Sequence, residues 1–387
     1  MRRLTELLEG RRLPDNRAVQ AGLTLLGGIG RLYGGIMGLR AELYHRRILP
    51  SYRAPCPVIS VGNLSAGGTG KTPMVLWLAR QLAPWQAGLA IVSRGYGASA
   101  PPDDEHPGIT QVADANGPRL GPAEAGDEAL LLAHNLPGVT ILTGADRARL
   151  IRHAVDCCGS RLILMDDGFQ HLRVQRDLNV LLMDARQPLG NGALLPGGIL
   201  RESPQAMRRA DVIILTRCES PELFAQARQR LTPHAPQTPF LHAEHRPTAW
   251  LRLGETAPLP LSALQRVPVL AFCGIARPDS FAQTLARLQV HTTGLVTLTD
   301  HAAFGRPVMA RLIRQARARQ AQAMVCTEKD AVKILPVWLE AEPPHLPLYV
   351  LRMAIHFPEP PLWLQQRLAS LVDTPLNSPT VAPHQSA

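Results

Sequence analysis

Aromatic side chains are scarce: Phe, Trp and Tyr make up 4% of the 387 residues. Few rings are therefore available to stack bases or sugars, which counts against a single-strand nucleic-acid binder. The six cysteines, Cys56, Cys157, Cys158, Cys218, Cys273 and Cys326, form no CxxC pair, and no histidine cluster with zinc-ligand spacing is evident beside them. They read as reduced, mostly buried thiols of a cytosolic protein without a structural disulfide. An uninterrupted apolar run of about twenty residues, the length of a spanning helix, is also missing. The nearest approach, Ala18 to Leu39, carries Arg31 at its middle and seven glycines. Basic residues flank it on both sides and no small-residue cleavage site follows, so it is not a secretory signal.

What is present points to a globular chain of two domains. A 45% hydrophobic fraction with 19% charged residues excludes both a mainly disordered chain and a polytopic membrane protein. The 35 prolines and 31 glycines follow no period and mark turns. Lys and Arg number 41 against 31 acids, a net charge of +10, which favours an anionic partner: phosphate, an acidic lipid surface or nucleic acid. No dense basic tract accompanies the excess, so no nucleic-acid partner is expected.

Plotted at helical period, Leu25, Leu26, Ile29, Leu32, Tyr33, Ile36 and Met37 gather on one side of the N-terminal stretch. Gly27, Gly30, Arg31, Gly34 and Gly38 crowd the other. That is an amphipathic helix suited to lying in a headgroup layer, with flanking arginines drawn to anionic lipid. The Gly30, Gly34, Gly38 spacing also allows close approach of a second helix. The competing reading is a helix packed on its own domain.

After Pro57, short apolar runs alternate with helical stretches. Strands are expected at Pro57 to Val61, Leu89 to Ser93, Val139 to Thr143, Arg161 to Met165, Leu178 to Met183 and Val212 to Thr216. Helices are expected at Thr72 to Leu82, Glu124 to His134 and Ala145 to Cys157. This βαβ rhythm predicts an α/β fold, a mostly parallel sheet with flanking helices. A weaker second set, with strands near Val267, Gly294, Met324 and Leu348, implies a smaller α/β domain. The Pro-rich stretch from Thr232 to Pro260 places the junction, giving residues 1–50 as the membrane-associating helix region, 51–235 as a nucleotide-binding domain, 236–372 as the smaller domain and 373–387 as a disordered tail.

The strongest motif is Ser65-Ala66-Gly67-Gly68-Thr69-Gly70-Lys71-Thr72, between an expected strand and an expected helix. Its glycines let several backbone N–H groups converge on one phosphate, and the helix N-terminus adds positive potential. Lys71 then reaches the β- and γ-phosphates and the Thr72 hydroxyl is suited to Mg²⁺. Ser65 replaces the usual first glycine. Ala66 stands where partitioning ATPases carry a second lysine, and Thr327-Glu328-Lys329-Asp330 has its lysine at the wrong offset for a GTPase base-reading motif.

Leu162 to Asp167 is an apolar run ending in two acids, as expected of a strand that holds Mg²⁺ beside such a loop, with Gly168-Phe169-Gln170-His171 adding polar groups at the same end. Asp127, in Gly126-Asp127-Glu128, reads equally as a helix N-cap or as a base near the γ-phosphate. The Asp300-His301 pair is similarly two-valued. Arg94 and Arg201 are suited to phosphate charge or to surface ion pairs.

Taken together, these motifs resemble one family, the tetraacyldisaccharide 4′-kinases of lipid A synthesis. The resemblance runs through Ser60-Val61-Gly62-Asn63-Leu64, the loop above with Pro73, Ser93-Arg94-Gly95-Tyr96-Gly97, Gly126-Asp127-Glu128 and Asp166-Asp167-Gly168-Phe169-Gln170-His171. It continues through Leu195-Pro196-Gly197-Gly198, Leu200-Arg201-Glu202, Gly274-Ile275-Ala276-Arg277-Pro278, Asp300-His301 and Thr327 to Lys333. Ala129 and Gly197 depart from the family pattern without removing a reactive group, and Ala98 to Asn116 reads as an enlarged loop. The resemblance implies ATP and Mg²⁺ on the phosphate loop and an acylated glucosamine disaccharide 1-phosphate as acceptor. It further implies Asp127 as base with His301 orienting it, and Asp166, Glu128 and Thr72 on the Mg²⁺ side. Asp167, Gln170, His171, Arg94 and Arg201 would support them, and the enzyme would sit peripherally on the cytoplasmic face of the inner membrane. The alternatives are a non-enzymatic nucleotide switch and a nucleic-acid-binding ATPase.

Overall fold

The computed structural model describes residues 7–8, 10, 16–82, 84, 88–95, 106–299, 302–339 and 346–372. The first long helix is α1 (Arg17–His45), whose start is fixed by Asn16, the side chain of which accepts from the Val19 amide at 2.9 Å. Its small face does not receive a second helix. A Cβ on Gly30 would meet the Leu194 carbonyl oxygen at 2.7 Å, and one on Gly197 would meet the Gly27 amide nitrogen at 2.6 Å, so the glycines admit the 194–197 loop instead. Gly38 faces open space. Leu26, Tyr33 and Met37, expected on the apolar outer side, are half-buried. The outward stripe is Leu25, Ile29, Leu32, Ile36 and Leu39, each at least 50% exposed. No helix among the described residues is long and apolar enough to cross a membrane.

The first sheet comprises β1 (Val58–Asn63), β2 (Leu89–Ser93), β3 (Thr110–Asp114), β4 (Gly117–Pro118), β5 (Thr140–Thr143), β6 (Leu162–Asp166), β7 (Leu178–Asp184), β8 (Val212–Thr216) and β9 (Phe240–His242). Their order is β4-β3-β5-β2-β6-β1-β7-β8-β9, and every pair from β5 to β9 is parallel. β1 lies centrally with all six residues buried, Ser60 and Asn63 included, which is why its sequence shows no alternation between apolar and polar faces. The helices are α2 (Lys71–Gln81), α3 (Pro122–Ala125), α4 (Asp127–Asn135), α5 (Arg147–Asp156) and α6 (Pro221–Leu231). The single helix expected from Glu124 to His134 is two, because Gly126 breaks it at φ 78°. Gly126 is thus the cap of α4 and Asp127 its first residue, so the N-cap reading of Asp127 falls. The stretch expected as an enlarged loop contributes β3 at its end.

The second sheet has the order β11-β10-β15-β14-β12-β13, built from β10 (Glu244–Arg252), β11 (Pro258–Leu259), β12 (Val269–Cys273), β13 (Thr292–Thr297), β14 (Ala323–Thr327) and β15 (Leu348–His356). With it go α7 (Pro278–Arg287), α8 (Arg306–Ala318), α9 (Glu328–Leu339) and α10 (Leu362–Val372). β9 and β10 lie inside the Pro-rich stretch and were not expected there. β10 is mostly half-exposed and carries charges, which hides its period, and Pro247 is accommodated at a bulge against β15.

One apolar core spans the two sheets. Val332 of α9, Ile355 of β15 and Leu364 and Leu368 of α10 pack with Ile59 of β1 and Met74 of α2. Trp77 and Phe357 bring their ring centroids to 4.9 Å on the same side.

Candidate active site

Parallel pairing sets β1, β6, β7 and β8 with their carboxyl ends at one edge, where a doubly wound sheet carries its ligands. The loop after β1 curls through Gly67 (φ 124°) and Gly70 (φ 88°) before Lys71 opens α2. Only glycine tolerates Gly70, since a Cβ there would collide with the His245 ring. The loop is braced from several sides. Asn63 Nδ2 donates to the Ser65 and Gly67 carbonyls at 2.8 and 3.2 Å, Gln170 Nε2 to the Asn63 carbonyl at 2.9 Å, and Thr216 Oγ1 to the Thr69 carbonyl at 2.8 Å. The Ala66 amide donates to Ile199 O at 2.6 Å and the Arg201 amide to Leu64 O at 2.7 Å. A phosphate loop needs such bracing to keep its N–H groups aimed without a ligand.

The two acids at the end of β6 meet opposite fates. Asp167, held at φ 54°, has Lys71 Nζ at 3.4 Å and Arg201 Nη1 at 3.0 and 3.2 Å. Burial pushes its pKa up, but Lys71 and Arg201 outweigh this and hold it below the ordinary carboxylate value. Asp166 is 4% exposed, and its Oδ1 has no hydrogen-bond partner. Burial lifts its pKa to about 7, with Glu128 adding to the rise and Lys71 opposing it. Two carboxylates and a lysine therefore converge with one acid left unsatisfied.

Around them is a cleft of about 810 Å³, within the size range of small-ligand sites. Gly67 to Thr72, Arg94, Glu128, Asp166, Asp167 and Arg201 line it from the first sheet's side, and Arg277 and Phe281 from the second. Not every expected residue stands in the wall. Ser65 and Ala66 lie behind the loop, Gln170 braces it, and His171 is buried enough to push its pKa down to about 4, with Arg147 adding to the effect. Asp127 is not among the lining residues, its carboxylate 3.2 Å from Lys333 Nζ of α9, which also has Asp330 at 3.8 Å and the Phe304 ring at 5.2 Å. The Lys333–Asp127 approach is an ion pair whose angles fall short of a hydrogen bond. Asp300 and His301 lie outside the described residues.

Several groups at the site were not anticipated. Lys333 was visible only as the last letter of a motif. Arg147, 2% exposed at the start of α5, leaves Nε and Nη2 without a protein acceptor, and burial lowers its pKa to about 10. At the end of β7, Asp184 Oδ2 takes Arg217 at 2.8 Å and Arg277 at 3.0 Å, joining the two sheets across the cleft. His245 of β10 sits over Gly70, and burial pushes its pKa down to about 4, so the imidazole is neutral. The acidic ends of β6 and β7 are the signal that would have found Asp184, since each strand closes an apolar run, Leu162–Met165 and Val180–Met183, with an aspartate.

Comparison with known proteins places the chain in one family. The family model described as tetraacyldisaccharide-1-P 4'-kinase matches residues 23–372. A tetraacyldisaccharide 4'-kinase of Pelobacter propionicus is 39% identical over 328 residues, covering 84% of this chain and 86% of that protein. Another, from Syntrophotalea carbinolica, is 38% identical and covers 89% of this chain and 90% of its own. The crystal structure of LpxK from Aquifex aeolicus in complex with ATP superposes with a TM-score of 0.72 at 26% identity, covering 90% of this chain and 99% of that one. The chain belongs to the tetraacyldisaccharide-1-P 4'-kinase family.

Proposed function

We propose that the protein transfers the γ-phosphate of ATP to the 4′-hydroxyl of a tetraacylated glucosamine disaccharide 1-phosphate in lipid A synthesis, with residues 51–235 binding the nucleotide and 236–372 closing the cleft. The observation that carries this reading is the end of β6. A buried carboxylate with a free oxygen lies beside Lys71, while its neighbour Asp167 is already neutralised by two cations. The unpartnered Asp166 Oδ1, Glu128 and the Thr72 hydroxyl are hard oxygen donors of the kind that suit Mg²⁺. When bound, the cation would offset charge that builds on the transferring phosphoryl oxygens.

The chain's own groups supply the rest. Lys71 exchanges its Asp167 contact for the β- and γ-phosphates, and Arg94 and Arg201 hold phosphate charge from the cleft wall. Asp127 accepts the sugar hydroxyl's proton as general base, with Lys333 fixing where its carboxylate points. His301 orients Asp127, a role that rests on family resemblance. The stripe Leu25, Ile29, Leu32, Ile36 and Leu39 favours peripheral seating on an anionic bilayer surface, the cytoplasmic face of the inner membrane.

The test is transfer of labelled γ-phosphate from ATP to an acylated diglucosamine phosphate by the purified protein. Label in the lipid, lost in Asp127→Ala, is expected. Label found only as inorganic phosphate defeats the proposal.

A further inference from the structure

Away from the cleft, three soft ligands meet at the far end of α5. His153 lies in its last turn and Cys157 caps it, four residues on and therefore on the same face. The third, His106, comes from the turn before β3, closed by the Ile109 amide donating to His106 O at 3.0 Å. That turn is seated against α5's own entry, since a Cβ on Gly144 would collide with the Gly108 carbonyl. The His106 and His153 rings stand edge to face with centroids 4.4 Å apart, and His106 Nε2 lies 4.0 Å from Cys157 Sγ. One ligand atom from each of the three lies within 4.8 Å of the other two.

We propose that His106, His153 and Cys157 form a binding site for one thiophilic divalent cation of the zinc class, separate from the kinase cleft. Tetrahedral zinc, with bonds of roughly 2.1 Å to nitrogen and 2.3 Å to sulfur, separates such ligand atoms by roughly 3.6 Å. The 4.0 Å seen here thus needs only a small contraction. Two imidazoles and a thiolate select zinc-like ions over Mg²⁺, which takes oxygen ligands. Cys157 is exposed, so the fourth position opens to solvent. Occupied, the site pins the turn that leads into β3 to the last turn of α5. Sequence spacing gave no sign of such a grouping: His153 and Cys157 are one helical turn apart, and the fold alone delivers His106.

The test is titration of the full-length protein, purified without a histidine tag, with Co²⁺ in excess Mg²⁺. One equivalent is expected to give a sulfur-to-cobalt charge-transfer band, which a cation on carboxylates does not produce. Cys157→Ser should abolish the band and Cys158→Ser should keep it. His153→Ala should weaken binding at least about 100-fold, since losing even an outer-shell partner costs 10–100-fold. As a second measurement on unaltered protein, Zn²⁺ should slow alkylation of Cys157, read by peptide mass. No band in the wild type, a band that survives Cys157→Ser, or alkylation unaffected by Zn²⁺ would overturn the proposal.

Discussion

Replacing Asp166 with Asn should make the metal-free protein more stable and the enzyme nearly inert. Burial, reinforced by Glu128, raises this carboxyl from an ordinary 3.8 to about 7. An acid whose folded pKa exceeds its unfolded one holds its proton more tightly in the folded chain. The stability this contributes is complete below 3.8 and is lost as pH climbs through about 7. The rise from 3.8 to about 7 corresponds to about 4 kcal/mol. Asp166→Asn keeps the shape and removes the titration, so the variant should exceed wild type by up to about 4 kcal/mol near pH 8 and by less than about 1 kcal/mol near pH 4.

Thermal melts in EDTA across that pH range are the assay, and for a chain of 387 residues the upper end corresponds to a shift of roughly 5 °C. Kinase activity should move the other way, falling at least about 10²-fold, the typical cost of one charge-stabilising group. Adding Mg²⁺ and ATP should then stabilise wild type more than the variant. A variant that melts like wild type at every pH would refute the argument. It would mean that the folded chain already satisfies Asp166 as an ordinary carboxylate.

Lys333→Met removes the cation from a buried pair and should cost about 3 kcal/mol in denaturant unfolding, with Asp127→Asn in the same chain recovering part of it. Gly62→Ala places a Cβ 2.6 Å from Phe169 Cβ and 2.7 Å from its amide nitrogen, and should destabilise the chain by about 1–3 kcal/mol, read by melting. Lys71→Ala should reduce turnover at least as much as Asp127→Ala, because charge stabilisation dominates phosphoryl transfer, and steady-state rates of the two purified variants decide it. Serine at Leu25, Ile29, Leu32 and Ile36 together should release the protein from sedimenting anionic vesicles while leaving its melting temperature nearly unchanged, since all four side chains are exposed.

How much of this was legible depended on the local character of each signal. The phosphate loop and the acids of β6 were readable because β6, buried on both faces, is apolar until it ends, so Asp166 and Asp167 stand out at the edge where ligands bind. The helix α1 was readable as amphipathic but not in its facing. Which side of a glycine-rich helix turns inward depends on what reaches it, and the 194–197 loop needs Gly30 and Gly34 on the helix and its own Gly197. Lys333 and Arg277 were illegible for another reason. Their partners, Asp127 of α4 and Asp184 of β7, lie in the first sheet's half of the chain, and no spacing encodes a contact between segments so far apart in sequence. β10 was hidden because a half-exposed strand carrying Glu244, His245, Arg246 and Arg252 looks polar to any periodic reading.

One short segment makes both ends of the problem a single mechanical unit. Leu194 lies under Gly30 and Gly34 of the helix that carries the exposed apolar stripe. A few residues on, Ile199 accepts the Ala66 amide, Leu200 bridges Ser65, and Arg201 both donates its amide to Leu64 and pairs with Asp167. Helix and phosphate loop are therefore linked through contacts too close to leave a gap for even a Cβ, and close-packed contacts transmit displacement rather than absorb it. A lipid acceptor brings its hydroxyl from a bilayer edge, while ATP arrives from water, and in-line transfer needs the reacting atoms within about 3–3.5 Å. A helix tethered loosely to the loop would let that distance drift with its depth in the headgroups. On the proposed peripheral seating of that helix, resting its glycines on the segment that also holds Arg201 would set the height of the lipid surface relative to Lys71.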